Sequence, residues 1–281
     1  MERYWFGDVE EGVCRPAETD PAALGRRIDA VRAELGRPDW RLAQACGAVR
    51  DRADYIAVLQ AGCMERARAQ VAVELSGRDV ELLQMVRTLD EIDHVANLLL
   101  ERAVEWQAIL DPAFTRKYRR GGKALAGRIQ RSPSPSLRMV GGEIEHLGEV
   151  RNRLMREVSR RADAVLPNTS ALVGGLVAAR LMAEAGGLSH LARMPAATIQ
   201  VLGARTAIFS HIRGSAPSPK HGVIFQHRRV HNAPKEVRGR VARVLAAKLA
   251  IAARIDHFRG ELDPAFVEMA QKKIDAAGVR A

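Results

Sequence analysis

The side chains best suited to chemistry crowd the last third of this 281-residue chain. From Ile199 to Gly260 the sequence holds 12 Lys+Arg and five His against two acids, Glu236 and Asp256. Such a concentration suits a polyanion, because each phosphate neutralised by Lys or Arg releases condensed counterions and strengthens binding. The candidates for contact are Arg205, His211, Arg213, Lys220, His221, Gln226, His227, Arg240 and Arg243. Lys220 and His221 lead this set. They lie in a loop stiffened by Pro217 and Pro219, which loses less entropy on binding, ahead of an apolar, strand-like run. Arg213 and His211 follow. Arg238, Lys248 and Arg254 are further candidates, on a helix predicted over 236–257 that can present only one face to a ligand and whose core face is Val241, Leu245, Leu249 and Ala252. Arg238 and Lys248 there suit solvated positions, and Arg254 suits a partner near Asp256 or the end of its own helix.

Other chemistry finds less support. His227 and His231 have the four-residue spacing of two zinc ligands on a helix, but no third ligand is placed near them, so contact with the polyanion or plain solvent exposure is expected rather than a metal site. Asp90-Glu91-Ile92-Asp93-His94 reads as charged flanks around one apolar position rather than as a metal cluster. A methyltransferase would need a glycine-rich loop after a strand to cradle S-adenosylmethionine. The pairs Gly121-Gly122, Gly141-Gly142, Gly174-Gly175 and Gly186-Gly187 lack GxGxxG spacing, and no Walker or GxSxG motif occurs. The expectation is a non-enzyme without a cofactor of its own. Cys14, Cys46 and Cys63 are an odd number at wide spacings with no CxxC, and read as reduced thiols. No run approaches the roughly 20 apolar residues of a membrane span, and Met1-Glu2-Arg3-Tyr4-Trp5 lacks the form of a signal peptide, so the expected location is cytoplasmic.

These side chains need elements to hold them, and the composition favours helices: aromatics are 4% while Ala, Leu, Val, Arg and Glu dominate. Residues 1–75 read as a small α or α+β N-terminal unit. It opens on RYWFGDVEEGVCRP, whose Gly7-Asp8 and Glu11-Gly12 are turn-like, and continues through helices near 21–36, ending at Gly36, and 51–75. From residue 79, Leu82, Met85, Leu89, Ile92, Ala96, Leu99, Ala103, Trp106 and Leu110 alternate three and four apart. A helix of that length is roughly 45 Å long and cannot bury its seam on itself. Leu137, Val140, Ile144, Leu147, Leu154 and Val158 repeat the spacing, interrupted by Arg151 and Arg161, so residues 76–165 predict an antiparallel coiled-coil hairpin. Its tip, 111–136, carries Arg116, Lys117, Arg119, Arg120, Lys123, Arg128 and Arg131 with Gly121-Gly122 and Ser132-Pro133-Ser134-Pro135, and reads as a flexible basic loop. Asn168-Thr169-Ser170, following Pro167, reads as a helix cap, and 263–281 as a C-terminal helix or tail. Charge divides along the chain: residues 1–110 carry 14 Lys+Arg against 20 Asp+Glu, and 111–281 carry 30 against 13. Two classes of partner follow from that asymmetry.

Four stretches then narrow the reading. PNTSALVGGLVAARL, AGGLSHLARMPAATIQVLGA, PSPKHGVIFQH and RGRVARVLAAKLAIAARID resemble, in order and without a gap, the signature segments of the Nop-domain family, and LLQMVRTLDEIDHVANLLLERAVEW resembles its first coiled-coil helix. The resemblance implies an all-helical Nop domain over 166–262 and a scaffold of box C/D small RNA particles, which direct 2′-O-methylation in rRNA processing. It implies a guide RNA with a kink-turn, a small kink-turn-binding protein, and fibrillarin, which would bring S-adenosylmethionine and dock on the N-terminal unit. It also implies a homodimer through the coiled coil, for which Leu82, Met85, Leu89, Ile92, Ala96 and Leu99 are the expected contacts. The compact chain without a Lys-rich tail looks more like archaeal members than nucleolar ones; a spliceosomal-type or free-standing Nop-domain RNA binder without a methyltransferase partner is the alternative. The chain departs from the family where Gly-Ala-Glu-Lys is replaced by Gly203-Ala204-Arg205-Thr206, which moves the cation about 100° around a helix. It departs again at Ser210, where an Arg is expected, and at Arg228-Arg229.

Overall fold

The computed structural model describes residues 2–11, 13–18, 20–31, 39–112, 114, 122–214 and 216–278. They fall into two compact units, Met1–Gly77 and Arg78–Ala281. The cations Arg116, Lys117, Arg119 and Arg120 and the helix end expected at Gly36 lie outside the described residues.

The first unit begins with an antiparallel meander, β1 (Glu2–Tyr4), β2 (Gly7–Glu10) and β3 (Val13–Pro16), in which Arg3 faces Asp8 and Val9 faces Cys14. Its first turn falls at Trp5-Phe6, before the expected Gly7-Asp8, because both aromatics are drawn into the core with Leu24, Ala43, Val49 and Tyr55. The Trp5 indole N–H donates to the Tyr55 hydroxyl at 3.1 Å, so neither polar tip is left unpaired. Three helices follow: α1 (Pro21–Val31), α2 (Trp40–Ala45) and α3 (Arg52–Leu75). The Asp39 and Asp51 carboxylates accept from backbone N–H groups in the first turns of α2 and α3, which explains where both start. Cys14 and Cys46 are joined as a disulfide, which corrects the expectation of three reduced thiols; Cys63 is free and exposed. Their separation of 32 residues hid a contact that exists only once β3 lies beside the end of α2.

The second unit opens with α4 (Arg78–Leu110), then α5 (Gly122–Ile129) and α6 (Pro135–Val165). Asp93 pairs with Arg151 and Glu81 with Arg161, so α4 and α6 run antiparallel. The expected flexible tip is corrected over 122–136: Leu125 and Ile129 of α5 are buried with Ala103, Val104, Phe114 and Leu137. Ser132-Pro133-Ser134-Pro135 is the start of α6, with Ser134 as N-cap and Pro135 at its first position, where a missing N–H costs nothing.

Much of the seam expected to meet a second copy is already covered within the chain. Leu82 and Leu89 are fully buried within the chain, Met85 packs on the main core and Leu99 on the tip cluster, and Ile92 and Ala96 are half-covered. Periodicity showed that a face is buried; the antiparallel hairpin covers it from within. The apolar side chains left in solvent are Trp106 and Leu110 at the end of the seam, Val95, Leu98 and Ile109 elsewhere on α4, and Met139 on α6.

The remaining helices are α7 (Pro167–Val173), α8 (Gly175–Ala185), α9 (Leu188–Arg193), α10 (Ala196–Val201), α11 (Arg205–Arg213), α12 (Arg228–His231), α13 (Lys235–Phe258) and α14 (Pro264–Gly278), and all of them but α11 share one core with the hairpin base. The expected core face of α13, Val241, Leu245, Leu249 and Ala252, is buried, and Ala242, Ala246, Ala250 and Ala253 widen it so that neighbours can approach closely. α14 adds Phe266, Ala270 and Ile274 to the same core. At the crossing of α8 on α6, a Cβ on Gly175 would lie 2.4 Å from the Ser159 carbonyl oxygen, so only glycine fits. Among the described residues no helix is long and apolar enough to cross a membrane.

One polar knot ties this core. Asp256 on α13 is buried, and its carboxylate accepts from the backbone N–H groups of Asn168 and Thr169 at 2.8 and 2.9 Å. It also accepts from the Asn168 amide at 2.8 Å and the Thr169 hydroxyl at 2.6 Å. The Asn168 oxygen accepts in turn from the Asp263 N–H at 2.7 Å, just before α14. Asn168 is therefore not a cap: Leu166 holds the N-cap position of α7, and a carboxylate from a distant helix satisfies its first N–H groups. Arg254 does not reach Asp256 either; its Nε donates to the Ala192 carbonyl at 3.1 Å.

Removing that carboxylate should be costly, since an unsatisfied buried donor loses about 1–3 kcal/mol. Asp256→Ala is expected to destabilise the second unit by about 3 kcal/mol in urea unfolding followed by circular dichroism. A loss well below 1 kcal/mol would show that the knot is not needed.

Candidate nucleic-acid interface

The segment with the strongest sequence signal is anchored by its backbone. Gly222 N–H donates to the Gln200 carbonyl at 2.9 Å, Val223 N–H to Leu202 at 2.8 Å, and the Gln200 side-chain amide to the Lys220 carbonyl at 2.8 Å. This approach demands glycine at 222, where a Cβ would sit 1.9 Å from the Leu202 oxygen. The apolar run that follows is not a strand. Val223–Gln226 forms one 3-10 turn in which Ile224 plugs the core, since among the described residues of this unit no strand is present to pair with an extended segment.

That turn brings together side chains far apart in sequence. The His221 ring stacks on Phe225 with centroids 4.4 Å apart, His231 packs on Phe225 at 4.9 Å, and the Arg238 guanidinium lies 5.4 Å from the Phe225 centroid. Arg238 is held by donating to the Ala233 and His231 carbonyls. Lys220, exposed, runs close to Gly239 on α13. The cluster offers flat rings and cations side by side, a combination suited to stacked bases and phosphates. Sequence reading found Lys220 and His221, left Arg238 between contact and plain solvation and His231 between contact and plain exposure, and missed Phe225. The available signal was the four-residue spacing of His221 and Phe225.

A second cluster lines the groove between α4 and α8. Arg180 on α8 donates to the Gln226 side-chain oxygen at 2.6 Å and faces Asp90 of α4 at 3.6 Å. Arg205 donates to Glu184 at 3.0 Å. Burial raises the Asp90 carboxyl from its ordinary value, with Arg180 opposing it and Asp93, Glu184 and Glu91 adding to it. Arg205 is thus neutralised by its own unit, and Gln226 is oriented by Arg180, a residue that sequence reading did not single out. The remaining candidates are scattered. Arg240 donates to the Ala277 carbonyl of α14 at 2.9 Å, Arg243 is exposed on α13, and His211 Nδ1 lies 2.6 Å from the Ala216 carbonyl oxygen. Arg213 lies over the Phe209 ring at 5.8 Å. No residue of α11 is buried, and Phe209 and Ile212 point into solvent, which an isolated amphipathic helix would not sustain. Among the described residues no three His, Cys, Asp or Glu side chains are grouped to hold a metal ion.

The family model for Nop, described as snoRNA binding domain, fibrillarin, matches residues 126–276. The chain belongs to the Nop family. It is 32% identical over 238 residues to an uncharacterized NOP5 family protein of Methanocaldococcus jannaschii, covering 70% of this chain and 57% of that relative. It is 42% identical over 118 residues to nucleolar protein 58 of Schizosaccharomyces pombe, covering 42% of this chain and 23% of the relative. The chain therefore spans little more than half the length of the first and under a quarter of the second. A crystal structure of a fibrillarin/Nop5p complex contains a similar chain, with a TM-score of 0.56 and 30% identity, covering 97% of this chain and 98% of that one. The Nop match takes in α6 to α13, most of α14 and the cluster around Phe225, and of the second cluster all but Asp90 on α4.

His227 carries a pH signature. Burial, then Arg229 and Arg228, push its imidazole down from 6.5 to about 4, and burial, then Arg238, lower His221 as well. Between these pH values the unfolded chain takes up protons that the folded one refuses, so stability should fall as pH drops from 6.5 towards 4 and level off below. His227→Gln should flatten that slope in urea unfolding at a series of pH values. A His227 ring titrating in the ordinary range by NMR would contradict its burial.

Proposed function

We propose that this Nop-family chain is a non-catalytic, RNA-binding scaffold of a box C/D guide-RNA particle directing 2′-O-methylation. The observation that carries this reading is the cluster of Lys220, His221, Phe225, His231 and Arg238. It is a cationic, ring-faced surface inside the region matched as an snoRNA binding domain. Lys220 supplies sequence-tolerant attraction to phosphate, and His221, held towards its neutral form, supplies a flat donor and acceptor. Specificity then comes from RNA shape and from a small kink-turn-binding protein seated on that RNA. The exposed Phe209 and Ile212 of α11 suit that protein's surface. The N-terminal unit receives a fibrillarin-type methyltransferase, which brings S-adenosylmethionine, so catalysis resides in the partner.

Two copies associate through the apolar side chains that the hairpin leaves in solvent, Val95, Leu98, Trp106 and Ile109, rather than through the buried Leu82 and Leu89. In that arrangement Leu98→Asp with Ile109→Asp yields a folded monomer in light scattering, because buried unpaired charges cost several kcal/mol in the interface. Leu89→Asp unfolds the hairpin itself. A wild-type chain that is monomeric at micromolar concentration would remove the dimer.

Lys220→Ala with His221→Ala should weaken joining to a preassembled complex of kink-turn RNA and small protein while leaving the oligomeric state unchanged. One phosphate contact fewer lowers the logarithmic salt slope by about 0.7–0.9. Gel shifts across a salt series, with and without the small protein, measure this, and methyl transfer by the assembled particle should fall in parallel. Equal, tight binding of naked RNA by wild type and variant would sink the assignment, and so would methyl transfer by this chain alone.

A further inference from the structure

The Cys14–Cys46 bridge joins two lightly anchored elements of the first unit. Strand β3 is an edge: Val13, Arg15 and Pro16 face solvent and only Cys14 is half-covered. Its other attachments are the ladder to β2 and the Ala17 N–H donated to the Phe6 carbonyl. Helix α2 is six residues long, buries only Ala43, and ends at Cys46. A helix that short has little stability of its own. By contrast, α1 and α3 are locked without the bridge. Gly62 and Leu24 meet closely, Gly25 lies against Arg66, and Arg66 pairs with Asp29 at 2.5 Å.

We propose that Cys14–Cys46 is a thiol-controlled clamp. Closed, it holds the edge of the sheet and α2 as one body. Opened by a dithiol, it releases both while the α1–α3 pair and the second unit stay folded. The chemistry is thiol–disulfide exchange. One thiolate of the dithiol attacks a bridge sulfur to give a mixed disulfide, and the other displaces it. Cys14 and Cys46 leave as thiols, and the dithiol, which has lost two electrons, becomes a cyclic disulfide. A disulfide oxidant such as oxidised glutathione reverses the exchange. Both half-covered cysteines leave the sulfurs within reach of a small reagent. Cys63, on α3 and exposed, stands outside the clamp.

The test uses the full chain, equilibrated with oxidised glutathione and then with or without dithiothreitol. Alkylation by iodoacetamide in denaturant should label one cysteine per chain before reduction and three after it. Hydrogen exchange read by mass spectrometry should show amides of 13–17 and 40–49 exchanging at least about tenfold faster on reduction, because the crosslink no longer restricts the open state. Amides of α3 and α13 should be unchanged. Cys63→Ser should keep the response. Cys14→Ser with Cys46→Ser should show the fast exchange under both conditions, and if that variant does not fold, reduction of the wild type still gives the answer. Three labelled thiols in the oxidised sample, or exchange that ignores the reductant, would overturn the proposal.

Discussion

Asp256 accepts four hydrogen bonds while almost wholly removed from solvent, and the arrangement of the second unit depends on its doing so. A carboxylate in a low-polarity interior is tolerable only when donors surround it. Here they come from the first turn of α7, whose own N–H groups would otherwise lack partners in the core. Each side solves the other's problem. The knot also fixes where the chain turns after α13, because Asn168 holds the Glu261 carbonyl and the Asp263 N–H together. α14 is thereby aimed back across the core, and α13, with its small buried alanines, can lie in the middle of the helices that present the interface.

The positive charge of this region is less available than its total suggests. Arg205 is matched by Glu184, Arg229 by Asp275, and Arg180 faces Asp90 while orienting Gln226. Arg238 and Arg240 donate to backbone carbonyls, so part of their function is to close helix ends and brace neighbouring segments. Lys220, Arg213 and Arg243 are exposed. A cationic stretch read from composition therefore separates into groups that shape the surface and groups that face outward. Arg238 belongs to both, braced by carbonyls yet forming part of the aromatic stack.

Legibility in the sequence followed the range of each interaction. The hairpin helices and the inner face of α13 were readable because their spacing repeats locally, residue by residue. The same spacing could not say whether the α4 seam met another copy or another helix of its own chain, and Leu82 and Leu89 went to the latter. Contacts made by distant segments left no local mark. Cys14 with Cys46, Asn168 with Asp256 and Phe225 beneath Arg238 each require the fold to exist first. Lys220 and His221 stood out because proline and glycine bracket them. Phe225 did not, since its role depends on a 3-10 turn where an apolar run suggested extended chain. The flexible tip was misread over 122–136 for a related reason: Ser-Pro repeats signal loops by composition, but Ser134-Pro135 is also a helix start.

The pairing of Asp93 with Arg151 midway along the hairpin has a further consequence. Both long helices carry heptad-spaced apolar residues, so sliding one past the other by seven would again bring apolar positions face to face. A one-heptad slide in either direction, however, would set Arg151 opposite Val86 or Leu100 and Asp93 opposite Ile144 or Val158. Val86, Ile144 and Val158 are buried, and Leu100 packs on the tip cluster, so each charge would meet an apolar surface without its partner. The ion pair lends little stability at its half-exposed position, yet it distinguishes one alignment from its two closest competitors. It acts as the key that sets the length of the arm.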